Sequence, residues 1–263
     1  MNYSILVIGS GGTGTYFLKE FTRYIATAGW DVQRKIVRMV IADGDKVEGK
    51  NLSRQCFCKD DIGRNKAATY AEALNDMMGD ISDMQCSLSW ESYTSYITEP
   101  DQLDNLLCNK GGYESWNHIP VIIGAVDNDA CRMLCEQWFA LHENCYYFDS
   151  GNDFSSGECI YSYKKAGKVL SPLKSHYFPV MKEQKNIPVT ELSCEELNNA
   201  APQHILTNML AAIQLLGGIM MLLDPKKKET DNKRLGYSFF DAFDCINEFY
   251  QYNMKREEGI INE

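Results

Sequence analysis

Apolar and polar positions fall in blocks along this chain, and their spacing predicts strands alternating with helices. The first block is ILVI, residues 5–8, a branched apolar run that ends in Gly9-Ser10-Gly11-Gly12-Thr13-Gly14. Helical spacing takes over from there and predicts a helix over residues 16–28. KIVRMVIAD, residues 35–43, reads as a second buried strand ending at Asp43. The loop that follows, GDKVEGKNLSRQCFCKDDIGR, is long and dense in charge, which suits a functional loop better than a plain connection. NKAATYAEALNDMM then carries strong helix formers at helical spacing, with Asp60 or Asp61 upstream as its cap. Residues 84–88 suggest another strand, and the stretch from there to about residue 117 looks irregular. IPVIIGAVDN is the next strand, DACRMLCEQWFALHE a helix, CYYFDSG a fifth strand, and GECIYSY a strand turning back antiparallel to it.

This order specifies an α/β fold: a Rossmann-like, mostly parallel sheet with helices on both faces and an antiparallel extension. The chain has 263 residues and neither a low-complexity linker nor an internal repeat. Residues 1–163 are therefore expected to form a nucleotide-binding core, and residues 164–263 to add a crossover segment, an apolar helix and C-terminal elements of the same domain. Ligands of such sheets bind at the carboxyl ends of the strands, where Gly9, Asp43, Asp127 and Asp149 all fall.

Composition narrows the partners. A formal net charge of -10 argues against a nucleic-acid clamp, which needs a basic surface to neutralise phosphates. Ten cysteines with no signal peptide read as free thiols of a reducing compartment, so the expected location is cytoplasmic. No paired C-x-x-C unit occurs; the nearest approaches are Cys56 with Cys58 and Cys131 with Cys135, so no structural zinc is expected. Residues 205–223, ILTNMLAAIQLLGGIMMLL, have the length of a membrane span but carry Thr207, Asn208, Gln214 and Gly217-Gly218. A core or subunit-interface helix fits them better than a membrane segment.

The glycine turn places backbone N–H groups at the start of a helix, an arrangement that suits a phosphate. Alone it serves NAD or a flavin as well as ATP, and an acidic residue after the second strand such as Asp43 would hold ribose hydroxyls in any of these. The loop beyond Asp43 separates the alternatives. It supplies Asn51, Arg54 and Gln55, and Lys66 falls in the first turn of the next helix. Hydride transfer has no need of so many donors and cations, whereas a triphosphate under attack does, since phosphoryl chemistry is catalysed by positioning and charge neutralisation. Taken singly, Asp43 could cap a loop, Arg54 and Lys66 could be solvated, and Asp127 could be a helix N-cap. Their joint occurrence beside the glycines favours a nucleotide site.

GSGGTG, DGDKVEGKNLSRQ, DIGRNKA and AVDND stand in the order and approximate spacing of the ThiF/MoeB superfamily, which includes the ubiquitin-activating enzymes, and the chain resembles that superfamily over residues 3 to about 163. The resemblance implies an ATP-dependent adenylyltransferase that activates the C-terminal glycine carboxylate of a small ubiquitin-like β-grasp protein and releases pyrophosphate. It implies that Gly9, Gly11, Gly12 and Gly14 line the nucleotide and that Asp43 holds the ribose. Arg54, Gln55 and Lys66 would bind the phosphates with help from Asn51, and Asp127 would be linked to Mg through ATP. A homodimer is the implied assembly.

Cys194 is the candidate acceptor of the activated acyl group, because some relatives use a cysteine beyond the sheet in that way. SCEE fits a capping box with Ser193 as N-cap, which would place Cys194 where the helix dipole favours thiolate, although Glu195 and Glu196 oppose it. A packed, inert thiol is the alternative. Residues 193–223 also resemble the ThiF-like proteins of the PRTRC plasmid cassette, which implies a small partner encoded nearby. Two departures stand out. The zinc-binding cysteine pairs of better-known relatives are missing, so the tail is expected to be held by its own packing through YSFFDAFDCINEFY. Many relatives also begin with a helix whose arginine reaches the neighbouring subunit's phosphates; only residues 1–4 precede the first strand here, so another cation or a partner chain would supply that charge. The rival readings are a non-catalytic activating-enzyme-like scaffold or heterodimer half, and a nicotinamide oxidoreductase.

Overall fold

Strand β1 (Tyr3–Ile8) is buried along its whole length, as a continuous apolar run at the centre of a parallel sheet must be. The computed structural model describes residues 1–82, 88–107, 118–179, 203–224 and 235–253. After β1 come α1 (Gly12–Thr27), the single turn α2 (Trp30–Gln33), β2 (Ile36–Ala42), α3 (Lys66–Ile81) and β3 (Trp90–Tyr93). They are followed by α4 (Pro100–Leu107), β4 (Ile119–Gly124), α5 (Asp129–Leu141), β5 (Cys145–Asn152), β6 (Ser156–Lys165), β7 (Lys168–Ser171) and the short α6 (Lys174–Tyr177). The last described elements are α7 (Ile205–Leu223), β8 (Gly236–Asp241) and β9 (Ile246–Gln251).

The strands lie in the order β3-β2-β1-β4-β5-β6-β8-β9, with β7 paired to β6. Pairing is parallel from β3 through β5 and antiparallel from β5 outward. The chain thus builds one way from β1 to β2 and β3, then crosses over to β4 and β5. That reversal opens a crevice beyond the carboxyl ends of β1 and β4.

Side-chain alternation explains why both faces are covered. Ile5 and Val7 of β1, with Val121 and Ile123 of β4, face Phe17, Phe21 and Ile25 of α1, Leu74 of α3 and Leu215 of α7. Leu6, Ile8 and Ile122 point the other way, into a second core with Leu103 and Leu107 of α4 and Trp138 and Phe139 of α5. The mostly parallel sheet, the two helical layers and the antiparallel extension agree with the architecture that the sequence predicts.

Several boundaries move. α1 begins at Gly12, inside the glycine run, rather than at residue 16. The strand expected at residues 84–88 is β3, later at Trp90–Tyr93; residues 83–87 lie outside the described ones. The stretch expected to be irregular contains α4, which buries Leu103, Leu106 and Leu107. α3 is capped by Asn65, whose side chain accepts from the Ala68 N–H, while Asp61 accepts from the Cys58 N–H in a separate short turn. The segment YSFFDAFDCINEFY forms the β8–β9 hairpin at the sheet edge.

By length and composition α7 could cross a membrane. In this fold one face packs on the sheet through Ala211, Leu215 and Ile219, and the glycine at 218 brings its backbone against the Tyr161 ring. Ile205, Met209 and Ile213 form an exposed apolar stripe along the opposite side.

The cysteines test this packing. Cys58 and Cys245 are exposed, Cys131, Cys135, Cys145 and Cys159 are buried, and all are free thiols. Burial pushes the Cys145 thiol up to about 12, against the pull of Lys164. With a thiol reagent at about pH 8, Cys58 and Cys245 should react within minutes, and the four buried thiols only after unfolding. Peptide mass mapping of the folded protein checks this; labelling of Cys159 as fast as Cys58 would contradict the packing.

Candidate nucleotide site

At the carboxyl end of β1 the chain must reverse within a few residues, and glycines let it do so at close quarters. Gly9 has φ +92°, a region L side chains rarely adopt, and a Cβ there would lie 2.5 Å from the Ala125 carbonyl oxygen. Gly14, inside α1, approaches so closely that a Cβ would sit 2.0 Å from the Gly9 carbonyl oxygen. The turn is therefore wedged against the start of α1 and against the loop after β4, and the first turn of α1 carries N–H groups without intrahelical acceptors. Its N-cap, Gly11, has no side chain to cap that end, and the Asn208 carboxamide of α7 packs against Gly12.

Asp43 follows β2 and binds the turn directly. One carboxylate oxygen accepts from the Ser10 N–H at 2.7 Å and from the Ser10 hydroxyl at 2.8 Å, and the other accepts from the Asp45 N–H at 2.9 Å. Burial raises its pKa above the ordinary carboxylate value, with Lys66 pulling the other way. The loop-bonding role is thus real for Asp43, and it holds the carboxylate beside the glycines.

The loop after Asp43 folds back over α1. Asn51 is buried, and its side-chain oxygen accepts from the Glu48 N–H at 2.8 Å; its carbonyl in turn accepts from the Arg54 and Gln55 N–H groups. Asn51 therefore shapes the segment that presents the half-buried Arg54 and the buried Gln55. The Cys56 N–H donates to the Thr15 hydroxyl at 3.3 Å, and Tyr70 of α3 donates to the Thr15 carbonyl at 2.8 Å. These bonds fasten the loop and α3 to the first turns of α1. The Gln55 carboxamide lies beside Gly11, its Nε2 3.9 Å from where a Cβ would stand, and its buried Oε1 has no hydrogen-bond partner among the described residues. A buried acceptor without a partner costs roughly 1–3 kcal/mol, so it marks a place where a ligand or water donor fits.

Lys66 is the first residue of α3 and only 7% exposed. Its Nζ donates to Asp45 at 2.9 Å, and Asp45 also accepts from the Tyr96 hydroxyl at 2.5 Å. Burial opposes the Lys66 charge, but Asp43, Asp45 and Asp127 together hold its pKa above the usual lysine value. Lys66 and Tyr96 keep Asp45 below the ordinary carboxylate range although burial works against them. Asn65 sets this geometry: its amide donates to the Asp43 and Asp45 carbonyls at 2.9 and 3.0 Å while its oxygen caps α3. Asp127 lies three residues beyond β4, exposed on an otherwise half-buried loop, within the electrostatic reach of Lys66. The N-cap of α5 is its neighbour Asn128, whose side chain accepts from the Cys131 N–H.

The contacts link Asp43 to the glycine turn through Ser10, set Gln55 beside Gly11, and tie Lys66 to Asp45 within electrostatic reach of Asp43 and Asp127. Gly12 packs against Asn208 of α7, Gly14 against Gly9, and Asn51 holds the loop that carries Arg54. Cys194 lies outside the described residues. The motif reading missed Ser10, Asp45, Asn65 and Arg132; of these only Asn65 carries a local signal, an Asn directly before a helical run. A polyphosphate fits the uncapped helix start, the buried lysine and the orphaned Gln55. Among the described residues no three His, Cys, Asp or Glu side chains converge as a metal cage. A Mg ion needs none, since one carboxylate such as Asp127 and the phosphates themselves suffice.

The ThiF family model matches residues 1–255. Ubiquitin-like modifier-activating enzyme 5 of Drosophila ananassae is 28% identical over 151 residues, 56% of this chain and 33% of that protein. The same enzyme of Dictyostelium discoideum is 25% identical over 138 residues, 52% of this chain and 32% of that one. The chain therefore spans about a third of the length of these curated relatives. Among solved structures, E. coli MccB with ATP superposes with a TM-score of 0.59 at 12% identity, covering 94% of this chain and 63% of MccB. PaaA superposes at 0.54 with 14% identity, covering 94% of this chain and 64% of PaaA. These two share the fold.

Proposed function

Because the chain belongs to the ThiF family, we propose that it is an ATP-dependent adenylyltransferase activating the C-terminal carboxylate of a small ubiquitin-like protein. A carboxylate oxygen attacks the α-phosphorus, an acyl–O–P bond forms, the α–β phosphoanhydride breaks, and pyrophosphate leaves. Gly11, Gly12 and the start of α1 receive the phosphates, Gln55 and Arg54 bind from the loop side, and Lys66 neutralises the departing charge. Mg, carried on ATP and met by Asp127, would supply further charge stabilisation. Lys66 exchanges part of its Asp45 pairing for phosphate in this scheme.

The observation that carries the reading is a buried lysine beside the Asp43 that binds the glycine turn, together with a buried Gln55 beside Gly11 whose Oε1 has no partner among the described residues. The exposed Ile205, Met209 and Ile213 stripe supports association with a second copy, and the free thiols support a reducing compartment such as the cytoplasm. The partner is expected among small proteins encoded beside this gene, in keeping with the PRTRC resemblance.

Incorporation of labelled pyrophosphate into ATP, with Mg and candidate small proteins, tests the proposal. Exchange that depends on one partner supports adenylation and identifies the substrate. A folded protein that binds ATP but exchanges with no partner fits the scaffold reading, and one that binds NAD but not ATP fits the oxidoreductase. As the final acceptor we propose Cys194, whose thiolate would attack the acyl carbon and displace AMP to leave a thioester. Cys194→Ala should keep exchange within about twofold of the parent and abolish a thiol-sensitive conjugate. A conjugate that survives the substitution removes Cys194 from the scheme.

A further inference from the structure

The loop between β4 and α5 presents Asp127, and nothing in its own sequence makes it rigid. Its two flanks are nevertheless fixed. On one side the Ala125 N–H donates to the Ile8 carbonyl at 2.9 Å, and on the other Asn128 caps α5. Between them reaches the buried Arg132 from the first turns of α5, 6% exposed. Its Nη2 donates to the Val126 carbonyl and, at 3.0 Å, to the Ser150 carbonyl. Its Nη1 donates to Asp129 at 2.7 Å, and its Nε faces both Asp149 oxygens at 3.1 and 3.4 Å. Asp149, 1% exposed, is the far anchor on β5; it also accepts from the Tyr147 hydroxyl at 3.1 Å and lies 4.0 Å from Lys174, which pairs with Glu158 at 2.5 Å.

We propose that Arg132 is a positioning residue for Asp127: its guanidinium bolts the β4–α5 loop to the end of β5 and so sets where the Asp127 carboxylate stands opposite Lys66. The planar fork is what allows it. One group reaches a buried carboxylate, a second carboxylate at the helix start and two carbonyls from different elements, a span that a lysine ammonium does not cover. Arg132 touches no reacting atom. The inference rests on the adenylation reading for its catalytic consequence only, because the placement of the loop is a property of the ligand-free chain.

Arg132→Lys keeps a cation beside Asp149 and gives up the fork. Amide hydrogen exchange of the ligand-free protein should accelerate about tenfold or more at residues 126–128 while β4 and β5 keep their protection. Metal-free ATP affinity, measured by calorimetry, should stay within about twofold, while the gain in affinity on adding Mg should fall to the level of Asp127→Ala. Unchanged exchange at residues 126–128, or an equal loss of ATP affinity with and without Mg, overturns the proposal. Should Arg132→Lys open the strands as well, Asp129→Ala decides: it removes the Nη1 acceptor and keeps the Asp149 pair, so faster exchange confined to the loop supports the role and no change refutes it. A wild-type chain that binds no ATP would sink the adenylation reading, while the hydrogen-exchange result would still decide the role of Arg132.

Discussion

Asp127→Ala should lower ATP–pyrophosphate exchange on the order of 10²–10³-fold, the scale lost when one preorganised electrostatic group is removed from a reacting site. Its fold should survive. Asp127 is exposed, and the capping of α5 belongs to Asn128, so the substitution removes neither packing nor an N-cap. Its effect on stability should stay within about 0.5 kcal/mol, as for other surface positions. The Asp127 charge bears on Lys66 together with Asp43 and Asp45. Removing it relieves Lys66 of one carboxylate, so metal-free ATP should bind no worse, and the loss belongs to the Mg-dependent step. Exchange assays beside thermal melts and calorimetry make the comparison. A folded variant that exchanges within a few-fold of wild type would end the role assigned to Asp127.

The contrast between Asp127 and Asn128 shows what the sequence makes legible and what it does not. Strongly periodic blocks announced themselves: β1, β2, β4, β5 and the antiparallel β6 follow from apolar runs, and α7 from its length. Elements that depend on neighbours did not. β3 has four residues on the open edge of the sheet, too few to show a pattern. The start of α1 at Gly12 was not legible because glycines carry no side chain to signal helical spacing, although the turn demands them there. Of the side chains named by motif, Asp43, Gln55 and Lys66 stand at or are joined to the glycine turn, since the end of β2 and the long loop carry them there. Their partners were invisible, because Ser10 on Asp43, Asp45 on Lys66 and Arg132 on Asp149 are long-range or cross-element contacts that no local pattern encodes.

Asp149→Ala should be the more destructive change to the fold, costing about 3–5 kcal/mol, the usual penalty for leaving a buried charge without its partner. Burial is the largest influence on this carboxylate and raises its pKa, while Arg132 and Lys174 act in the opposite direction. The pair therefore costs desolvation as well as yielding attraction, and its value lies in what happens when one side is missing. Alanine leaves Arg132 buried against the Val126 and Ser150 carbonyls, with Asp129 as its remaining carboxylate in the cluster. A domain's whole stability is about 5–15 kcal/mol, so much of the margin would go. Urea unfolding should show a lower midpoint at an unchanged slope. Replacing both partners, Arg132→Met with Asp149→Leu, should recover most of that stability, because a buried ion pair is often no better than apolar side chains of similar size. The same double variant should leave exchange as low as in Asp127→Ala, because the Val126 and Ser150 carbonyls have lost the fork that joins them. Recovery of both stability and exchange would mean that the ion pair serves the core alone, and a single Asp149→Ala within about 1 kcal/mol of wild type would mean that it does not serve even that.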